Sequence, residues 1–454
     1  MDHKRGSFSG KIGFVLSAAG ASVGLGNIWR FPYLAAKYGG AIFLLVYIIL
    51  AMTFGYTMII AETSIGRMTG KSPVGAYKSF SDKPALRVGG WINAIIPILI
   101  VPYYSVIGGW VIKYLAEYLM GKAHLVAEDG YFSSFISNGG SSELCFLVFT
   151  AMTLAIIFAG VENGIERVSK IMMPILVVLS LIIAVYSVTR PGAMEGVKYF
   201  LVPNLDNFSW MTVVSAMGQM FYSLSIAMGI LITFGSYMKK ETAIEDSTRN
   251  VEVFDTAIAI MAGLMIIPAV FAFSGGDPDT LQAGPSLMFI TIPKVFANMG
   301  FGTVIGILFF LLVLFAALTS SIALTESAVS TFEDELGWGR KKSTVLIGVI
   351  MIALGTLSCL GYGPLSSVTI LGMQFLDFFD FLTNSVMMPI AAIATCLLVS
   401  RVIGVAKIEE EIIHGESRFR RKKIFLVMIQ YLCPVFALII LFSSVANAFG
   451  WITM

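Results

Sequence analysis

Long apolar runs separated by short polar segments make up most of this chain of 454 residues. A membrane-spanning helix needs about 20 apolar residues, and eleven runs approach or exceed that length. They cover about 12–37, 41–67, 88–121, 143–159, 165–189, 210–238, 251–273, 300–332, 343–360, 366–400 and 424–448. Residues 275–298 hold a shorter apolar stretch, where we expect a loop helix that folds back onto the protein. The pattern predicts an all-α polytopic membrane protein with eleven transmembrane helices.

The composition agrees with a membrane protein and excludes other classes. Hydrophobic residues make up 57% of the chain and charged residues 13%, against roughly 25% charged in a soluble protein. The net charge of +2 is too small to indicate a nucleic-acid partner, so the lipid bilayer is the expected environment. The polar start through Lys11 and the length of the first apolar run predict no cleavable signal peptide.

Cysteines and histidines are few and scattered. The cysteines lie in or at the ends of apolar runs, which favours small buried side chains over disulfides: Cys145, Cys359, Cys396 and Cys433. The histidines lie outside the runs: His3, His124 and His414. This scatter predicts no zinc or redox-metal site, and no nucleophile with an adjacent base indicates an enzyme.

Basic residues predict the orientation of the chain. With the N-terminus inside, the cytoplasmic segments hold 23 of the 30 Lys and Arg residues. Cytoplasmic loops carry an excess of these residues, so we expect a cytoplasmic N-terminus. Eleven spans then place Met454 on the outside.

The first run contains residues that a regular membrane helix would avoid. Gly20, Gly24 and Gly26 each cost a helix about 1 kcal/mol relative to alanine, and Asn27 and Arg30 follow directly. An opened backbone inside a bilayer is tolerated only where it is buried in protein or lines a cavity. We therefore predict a broken helix that uses its freed carbonyls and amides.

The sixth run repeats this anomaly between Gly218 and Gly229, where glutamine and two serines interrupt the apolar pattern. Matching interruptions five spans apart, at corresponding positions of the two halves, indicate an inverted-repeat carrier. We expect one domain over 1–454, with repeats at about 10–190 and 210–400 and an extra helix at about 424–448. The alternative is that small residues merely allow close helix packing.

Two such breaks would create a binding site. Helix N-termini suit a carboxylate, and helix C-termini expose carbonyls that suit a hard cation. Side-chain oxygens are available near the breaks and in the eighth run: Ser22, Asn27, Ser223, Asp255, Thr319, Ser320 and Ser321. A serine or threonine in a membrane helix can instead bond to the preceding turn.

The sequence resembles the neurotransmitter:sodium symporter family, and in particular its bacterial amino-acid transporters with eleven transmembrane helices. The resemblance covers essentially the whole chain and lies in a small set of segments: Gly24 to Pro32, Glu62 with Gly66-Arg67, Tyr103-Tyr104, Gly218 to Ser225, Leu318 to Ser321, and Glu333 to Leu336. It implies a sodium-coupled symporter in the plasma membrane, the inner membrane of the cell.

The resemblance implies two sodium sites. The first would use the Ser22 carbonyl and the side chains of Asn27, Ser223 and Asp255. The second would use carbonyls and hydroxyls from two spans: Gly20, Val23, Ala316, Thr319 and Ser320. All of these ligands are oxygens, which suit a hard cation. Animal members need chloride, and the Asp255 carboxylate would replace that charge here, so we expect chloride-independent transport.

The implied substrate site indicates an amino acid. Gly24 lies where monoamine transporters carry an aspartate for the amine. The carboxylate would bind the first sodium, the amides of Leu25 and Gly26 and the hydroxyl of Tyr104. The amine would contact carbonyls and a hydroxyl from Ala21, Tyr222, Ser223 and Ser225. The side chain would face Ile100, Tyr222, Met228, Ser320 and Leu324. This wall carries no charge, so the prediction is a hydrophobic L-amino acid, aromatic or branched.

The resemblance also implies two gates. Arg30 and Asp380, with Gln219 between them, would close the outer side, and Arg5 with Asp334 would close the inner side. Weak exposed ion pairs, worth about 0–1 kcal/mol, suit gates that open in each cycle. Two alternatives to this symporter remain: a sodium- or proton-coupled carrier of another family with the same fold, and an amino-acid sensor that has lost transport.

Overall fold

Helices form nearly all of the regular structure in the computed structural model, which describes residues 6–275 and 284–452. Fourteen helices build the spans, the two breaks and the predicted loop helix. They are α1 (Lys11–Ser22), α2 (Gly26–Lys37), α3 (Ala41–Thr69), α4 (Pro84–Leu119), α5 (Gly139–Phe158), α6 (Val161–Val188), α7 (Trp210–Ser223), α8 (Ile230–Ser236), α9 (Ile244–Ser274), α10 (Leu287–Ala297), α11 (Gly302–Leu336), α12 (Arg340–Leu360), α13 (Phe375–Ile403) and α14 (Lys422–Ala448).

Short helices connect these elements. They are Pro73–Phe80, Ala123–Val126, Tyr131–Ser137, Ala193–Leu201, Leu205–Asn207 and Val405–Ile413. The loop helix α10 lies where the sequence predicted it. Its Phe289 ring packs among aromatic side chains of other elements, at 5.1 Å from Phe132 and 4.9 Å from Tyr114 between ring centroids. The part of the predicted loop at 276–283 lies outside the described residues.

The first break separates α1 from α2, whose axes differ by 55°. The second break separates α7 from α8 and is formed by residues 224–229. A capping box of Ser209 and Thr212 starts α7. Within the second break, Ser225 and Ala227 have φ angles of 52° and 58°, which only glycine adopts without strain. Both predicted breaks are therefore present.

Helix length alone does not confirm the predicted count of eleven. Among the described residues, nine continuous helices are long and apolar enough to cross a membrane, and α1 with α2 makes a tenth span. The predicted sixth span consists of α7, with 14 residues, and α8, with 7. At 1.5 Å per residue α7 is about 21 Å long, less than the bilayer core of about 30 Å.

The tenth predicted span also differs in its start. Helix α13 begins at Phe375 rather than near 366. The preceding residues form turns and an isolated bridge between Ile370 and Met373, so an apolar stretch there is not helical. The division into two inverted repeats stays a prediction.

The middles of α4 and α11 are largely buried by other helices, whereas α5 and α14 expose much of their apolar surface. The two breaks lie against these central helices. Tyr104 of α4 and Ser320 of α11 are 4% and 5% exposed beside the first break. Interrupted backbone is thus placed at the centre of the bundle, away from lipid.

Candidate substrate and cation site

A small enclosed cavity lies between the two breaks, α4 and α11. Its volume is about 30 Å³, enough for one or two water molecules. Its walls contain all twelve residues predicted to bind substrate, together with Gly24 and Asn27: Ala21, Ser22, Leu25, Gly26, Ile100, Tyr104, Tyr222, Ser223, Ser225, Met228, Ser320 and Leu324. An amino acid enters this space only if the lining side chains separate.

The start of α2 presents backbone amides to this cavity. The Leu25 amide donates to the Tyr104 hydroxyl at 3.3 Å. A Cβ atom on Gly26 would lie 2.6 Å from the Tyr222 ring, so only glycine permits this close approach. Amides and a phenolic hydroxyl at a helix N-terminus can bind a carboxylate.

A buried polar cluster lies beside these amides. Asp255 is fully buried and accepts hydrogen bonds from Asn27 Nδ2 at 2.8 Å and from Ser223 Oγ at 3.0 Å. The second Asp255 oxygen accepts from the Tyr47 hydroxyl at 2.8 Å. The Asn27 oxygen accepts from the Gly24 amide at 3.2 Å. The cluster therefore concentrates one carboxylate and three polar side chains in a site that excludes lipid.

Tyr47 was missed in the sequence because it lies in a uniformly apolar run. Nothing in its spacing separates it from an ordinary buried aromatic residue. Its hydroxyl also lies 3.1 Å from Ser223 Oγ, so it contacts two members of the cluster. Ser22 lies nearby, with its hydroxyl 3.1 Å from the Ala18 carbonyl and 3.4 Å from the Leu224 carbonyl.

A second group of oxygens joins the end of α1 to α11. The Ser320 hydroxyl lies 3.2 Å from the Gly20 carbonyl and 3.3 Å from the Val23 carbonyl. The Thr319 hydroxyl bonds to the Phe315 carbonyl at 3.0 Å and the Ala316 carbonyl at 3.2 Å. At the second predicted sodium site, the Ser320 hydroxyl thus joins the end of α1 to α11, while the bonds of Thr319 lie within α11.

The remaining cavity wall is apolar. Ile100, Met228 and Leu324 are each at most 4% exposed, and the cavity lining contains no Lys, Arg, Asp or Glu. The Ser225 hydroxyl donates to the Ala21 carbonyl at 2.9 Å, and both residues line the cavity. A charged side chain would lack a partner here.

A second cavity of about 420 Å³ lies on the predicted outer side and contains Arg30, Tyr222 and Asp380 in its walls. The Arg30 guanidinium lies 5.5 Å from the centre of the Tyr222 ring. Asp380 accepts from the Tyr103 hydroxyl at 3.1 Å and from Asn384 at 2.6 Å.

The expected bridge between Arg30 and Asp380 does not form in the part of the chain that the structure describes. No nitrogen–oxygen pair of these residues lies within ion-pair distance, although both face the same cavity. Among the described residues, Gln219 has no hydrogen bond to either of them. Its amide donates to the Gly26 carbonyl at 3.1 Å, because the first break brings that carbonyl against α7.

On the predicted inner side, Asp334 accepts from the Ser72 amide at 2.6 Å. Its predicted partner Arg5 lies outside the described residues. Glu326 is fully buried and accepts from Arg340 at 3.0 Å and from the Tyr237 hydroxyl at 2.7 Å. No sequence pattern predicts the pairing of Glu326 with Arg340, since the two residues are 14 positions apart and lie on different helices.

Glu62 of α3 supports the second break. It is fully buried, and its carboxylate accepts the Ala227 amide at 2.7 Å. This amide lies in the non-helical segment and has no helical partner. Glu62 belonged to a recognised motif, but its contact could not be read from the sequence, since 165 residues separate the two positions.

Two interrupted helices that face each other across an enclosed polar cavity define a membrane carrier. The model of the Sodium:neurotransmitter symporter family matches residues 5–125 and 129–450. The chain belongs to this family, whose members are transporters rather than enzymes.

Named relatives extend this result. The chain is 36% identical to an uncharacterised sodium-dependent transporter, YhdH, of Bacillus subtilis. The aligned 419 residues cover 92% of this chain and 92% of the relative. The chain is 31% identical over 458 residues to an uncharacterised sodium-dependent transporter of Haemophilus influenzae, covering 97% of this chain and 98% of the relative. The crystal structure of MhsT in complex with L-phenylalanine superposes with a TM-score of 0.86 at 35% identity, covering 97% of this chain and 100% of MhsT.

Proposed function

We propose that this protein imports hydrophobic L-amino acids, aromatic or branched, together with sodium. The supporting observation is that the α2 amides, the polar cluster around Asp255 and an uncharged wall meet in one cavity. These parts match the carboxylate, the cation and the side chain of such a substrate. The similar MhsT structure contains L-phenylalanine, which agrees with an apolar substrate.

Coupling follows from the closeness of the two binding groups. A sodium ion beside Asn27 and Ser223 would lie next to a carboxylate bound at the Leu25 amide. Each ligand then raises the affinity of the other by the same factor. Inward sodium movement supplies about 2.3 kcal/mol per charge for every 100 mV of membrane potential.

A second sodium ion would bind between α1 and α11, at the oxygens of Gly20, Val23, Ala316, Thr319 and Ser320. It would hold these helices together while the cavity is closed. Loss of this ion to the inside would release α1 and open an inner path. Alternating access would then proceed by movement of the broken helices against α4 and α11.

Transport is proposed to be independent of chloride. The Asp255 carboxyl group is fully buried beside the first proposed cation position, where its ionised form would supply a fixed negative charge. A buried carboxylate of this kind can balance a bound cation without a second ion. We place the protein in the plasma membrane with its N-terminus inside and Met454 outside, from the distribution of basic residues.

The test is uptake of radiolabelled tryptophan, tyrosine and leucine into proteoliposomes with and without a sodium gradient. We expect accumulation only with the gradient, and competition by apolar amino acids but not by glutamate or lysine. Binding without accumulation would indicate a sensor, and accumulation driven by a proton gradient alone would indicate a different carrier mechanism. Thr319→Val should weaken sodium dependence, while Thr189→Val, at an exposed position, should not.

A further inference from the structure

A strongly basic segment precedes α14. Residues 414–423, which we name the basic strap, contain Arg418, Arg420, Arg421, Lys422 and Lys423. Its one acidic residue is Glu416. The formal charge of the strap is therefore +4 with histidine neutral.

The backbone of the strap is held against α9. The Glu245 carboxylate accepts the Arg420 amide at 2.7 Å and the Arg421 amide at 3.0 Å. The Asp246 amide donates to Glu416 at 2.8 Å. Phe419 is 7% exposed and packs against another ring, Phe425, at 5.4 Å. These contacts hold the backbone that carries the cations before any ligand binds.

Only part of the positive charge is balanced within the protein. Arg421 lies 3.3 Å from Glu252 and 4.7 Å from the centre of the Tyr56 ring, and Lys422 pairs with Glu409 at 2.6 Å. Arg418, Arg420 and Lys423 are exposed, and no ion pair of theirs occurs among the described residues. Arg420 still lies beside Glu245, Asp246 and Glu416, in the wall of a cavity of about 90 Å³. Arg418 and Lys423 are therefore the cations available to a ligand.

The ligand must also fit the surface below these cations. Within the first three turns of α14, which is long and apolar enough to cross a membrane, Ile424, Val427 and Tyr431 are 40%, 47% and 65% exposed. A phospholipid can place its phosphate at the cations and its acyl chains along these side chains. A free phosphate or nucleotide would leave this apolar surface unused, which favours a lipid.

We propose that the basic strap binds the headgroup of an anionic phospholipid of the cytoplasmic leaflet through Arg418 and Lys423. The choice of leaflet rests on the orientation given in the proposed function. Because Glu245 and Asp246 begin α9, which also carries Asp255, a bound headgroup steadies the inner end of the helix that forms the first cation position. Anionic lipid is then a structural ligand of the carrier.

The test is native mass spectrometry of the purified full-length protein with added phosphatidylglycerol or phosphatidylcholine. The wild type should retain phosphatidylglycerol selectively. Each removed cation should lower retention about fivefold, so R418Q/K423Q should lower it by more than tenfold. K341Q/K342Q removes two exposed lysines in the first turn of another span, α12, and serves as the matched control with unchanged retention.

Equal retention by wild type and R418Q/K423Q would overturn the proposal, as would an equal loss in the control. Displacement of phosphatidylglycerol by inorganic phosphate alone would indicate a phosphate site instead. Melting temperatures of the three proteins show whether each variant is folded. The readout of this test is the mass of retained lipid, so a negative result does not bear on the proposed transport. Failure of sodium-driven uptake likewise does not bear on the lipid site.

Discussion

Gly24 lies where the first break comes closest to α4 and α11. A Cβ atom there would lie 2.7 Å from the Ser320 hydroxyl and 3.0 Å from the Tyr104 hydroxyl. The position therefore accepts no larger side chain without movement of both neighbours. This contact explains why the cavity has room for backbone amides but none for an acidic side chain that would pair with an amine.

Replacing Gly24 by alanine should reduce sodium-dependent uptake about tenfold or more, because overpacking costs about 1–3 kcal/mol. The measurement is initial uptake in proteoliposomes at equal protein content. Gly300→Ala is the control, since a Cβ there meets nothing within 4 Å. Wild-type uptake by Gly24→Ala would contradict the close contact.

Asp255 is the second residue on which function is expected to depend. Wild-type uptake should be equal in sodium chloride and sodium gluconate, because the carboxylate supplies the negative charge. Asp255→Ser should transport poorly in gluconate and recover when chloride is added. A chloride requirement in the wild type would refute this role of Asp255.

Motifs and polar atoms within apolar runs led the sequence analysis to residues that the structure brings together, and their binding roles stay predictions. All twelve predicted substrate residues line one cavity, and the predicted cation ligands cluster beside it. Sequence analysis failed where the contacts of a residue depend on a partner that is distant in sequence. Tyr47 contacts Asp255 across 208 positions, and Gln219 contacts Gly26 across 193.

At the scale of elements, the second break contains strained backbone, and one buried acidic residue, Glu62, stabilises it. Ser225 and Ala227 hold left-handed backbone that costs about 1–2 kcal/mol per residue. Glu62 accepts the Ala227 amide within this segment. The interrupted helix is therefore supported from α3 as well as by its own residues.

Glu62→Leu should lower stability by about 1–3 kcal/mol, because it leaves the buried Ala227 amide without an acceptor. Glu62→Gln retains an oxygen and should cost less. Thermal unfolding in detergent, with and without sodium and substrate, measures both variants. Equal melting temperatures for Glu62→Leu, Glu62→Gln and the wild type would show that the contact between Glu62 and the Ala227 amide contributes nothing to stability.

The positions of the spans were predictable because a bilayer of fixed thickness imposes long apolar runs. Both breaks were also predictable from glycine and polar residues within those runs. Their geometry was not, since a 14-residue α7 and a 7-residue α8 look like one run in sequence. The start of α13 was missed because apolar turn residues before Phe375 resemble the beginning of a helix.

The whole molecule differs between its two sides. The predicted outer side has a cavity of about 420 Å³ whose walls include Arg30 and Asp380, and these two opposite charges are not paired with each other. On the predicted inner side Glu326 and Arg340 are paired, with Tyr237 on the same carboxylate. This asymmetry agrees with a state whose outer side is the more open.

Removing one member of the inner pair should destabilise the protein by about 3–5 kcal/mol, because a buried charge loses its partner. Arg340→Met removes the positively charged member of the pair and leaves Glu326 buried without its partner. Glu326→Gln combined with Arg340→Met should recover much of the loss. Chemical or thermal unfolding of both single variants and the double variant gives the coupling energy, and additive losses would exclude a direct pairing.

The central cavity of about 30 Å³ has a consequence for electrical leakage. One or two water molecules in this cavity do not make a continuous aqueous path, and we expect the side chains packed around it to block ions between the outer cavity of about 420 Å³ and the paired Glu326 and Arg340. A vesicle containing the idle protein should therefore hold its membrane potential. Current should flow only when amino acid and sodium are both supplied, which makes the resting conductance a direct measure of how tightly the packed side chains close.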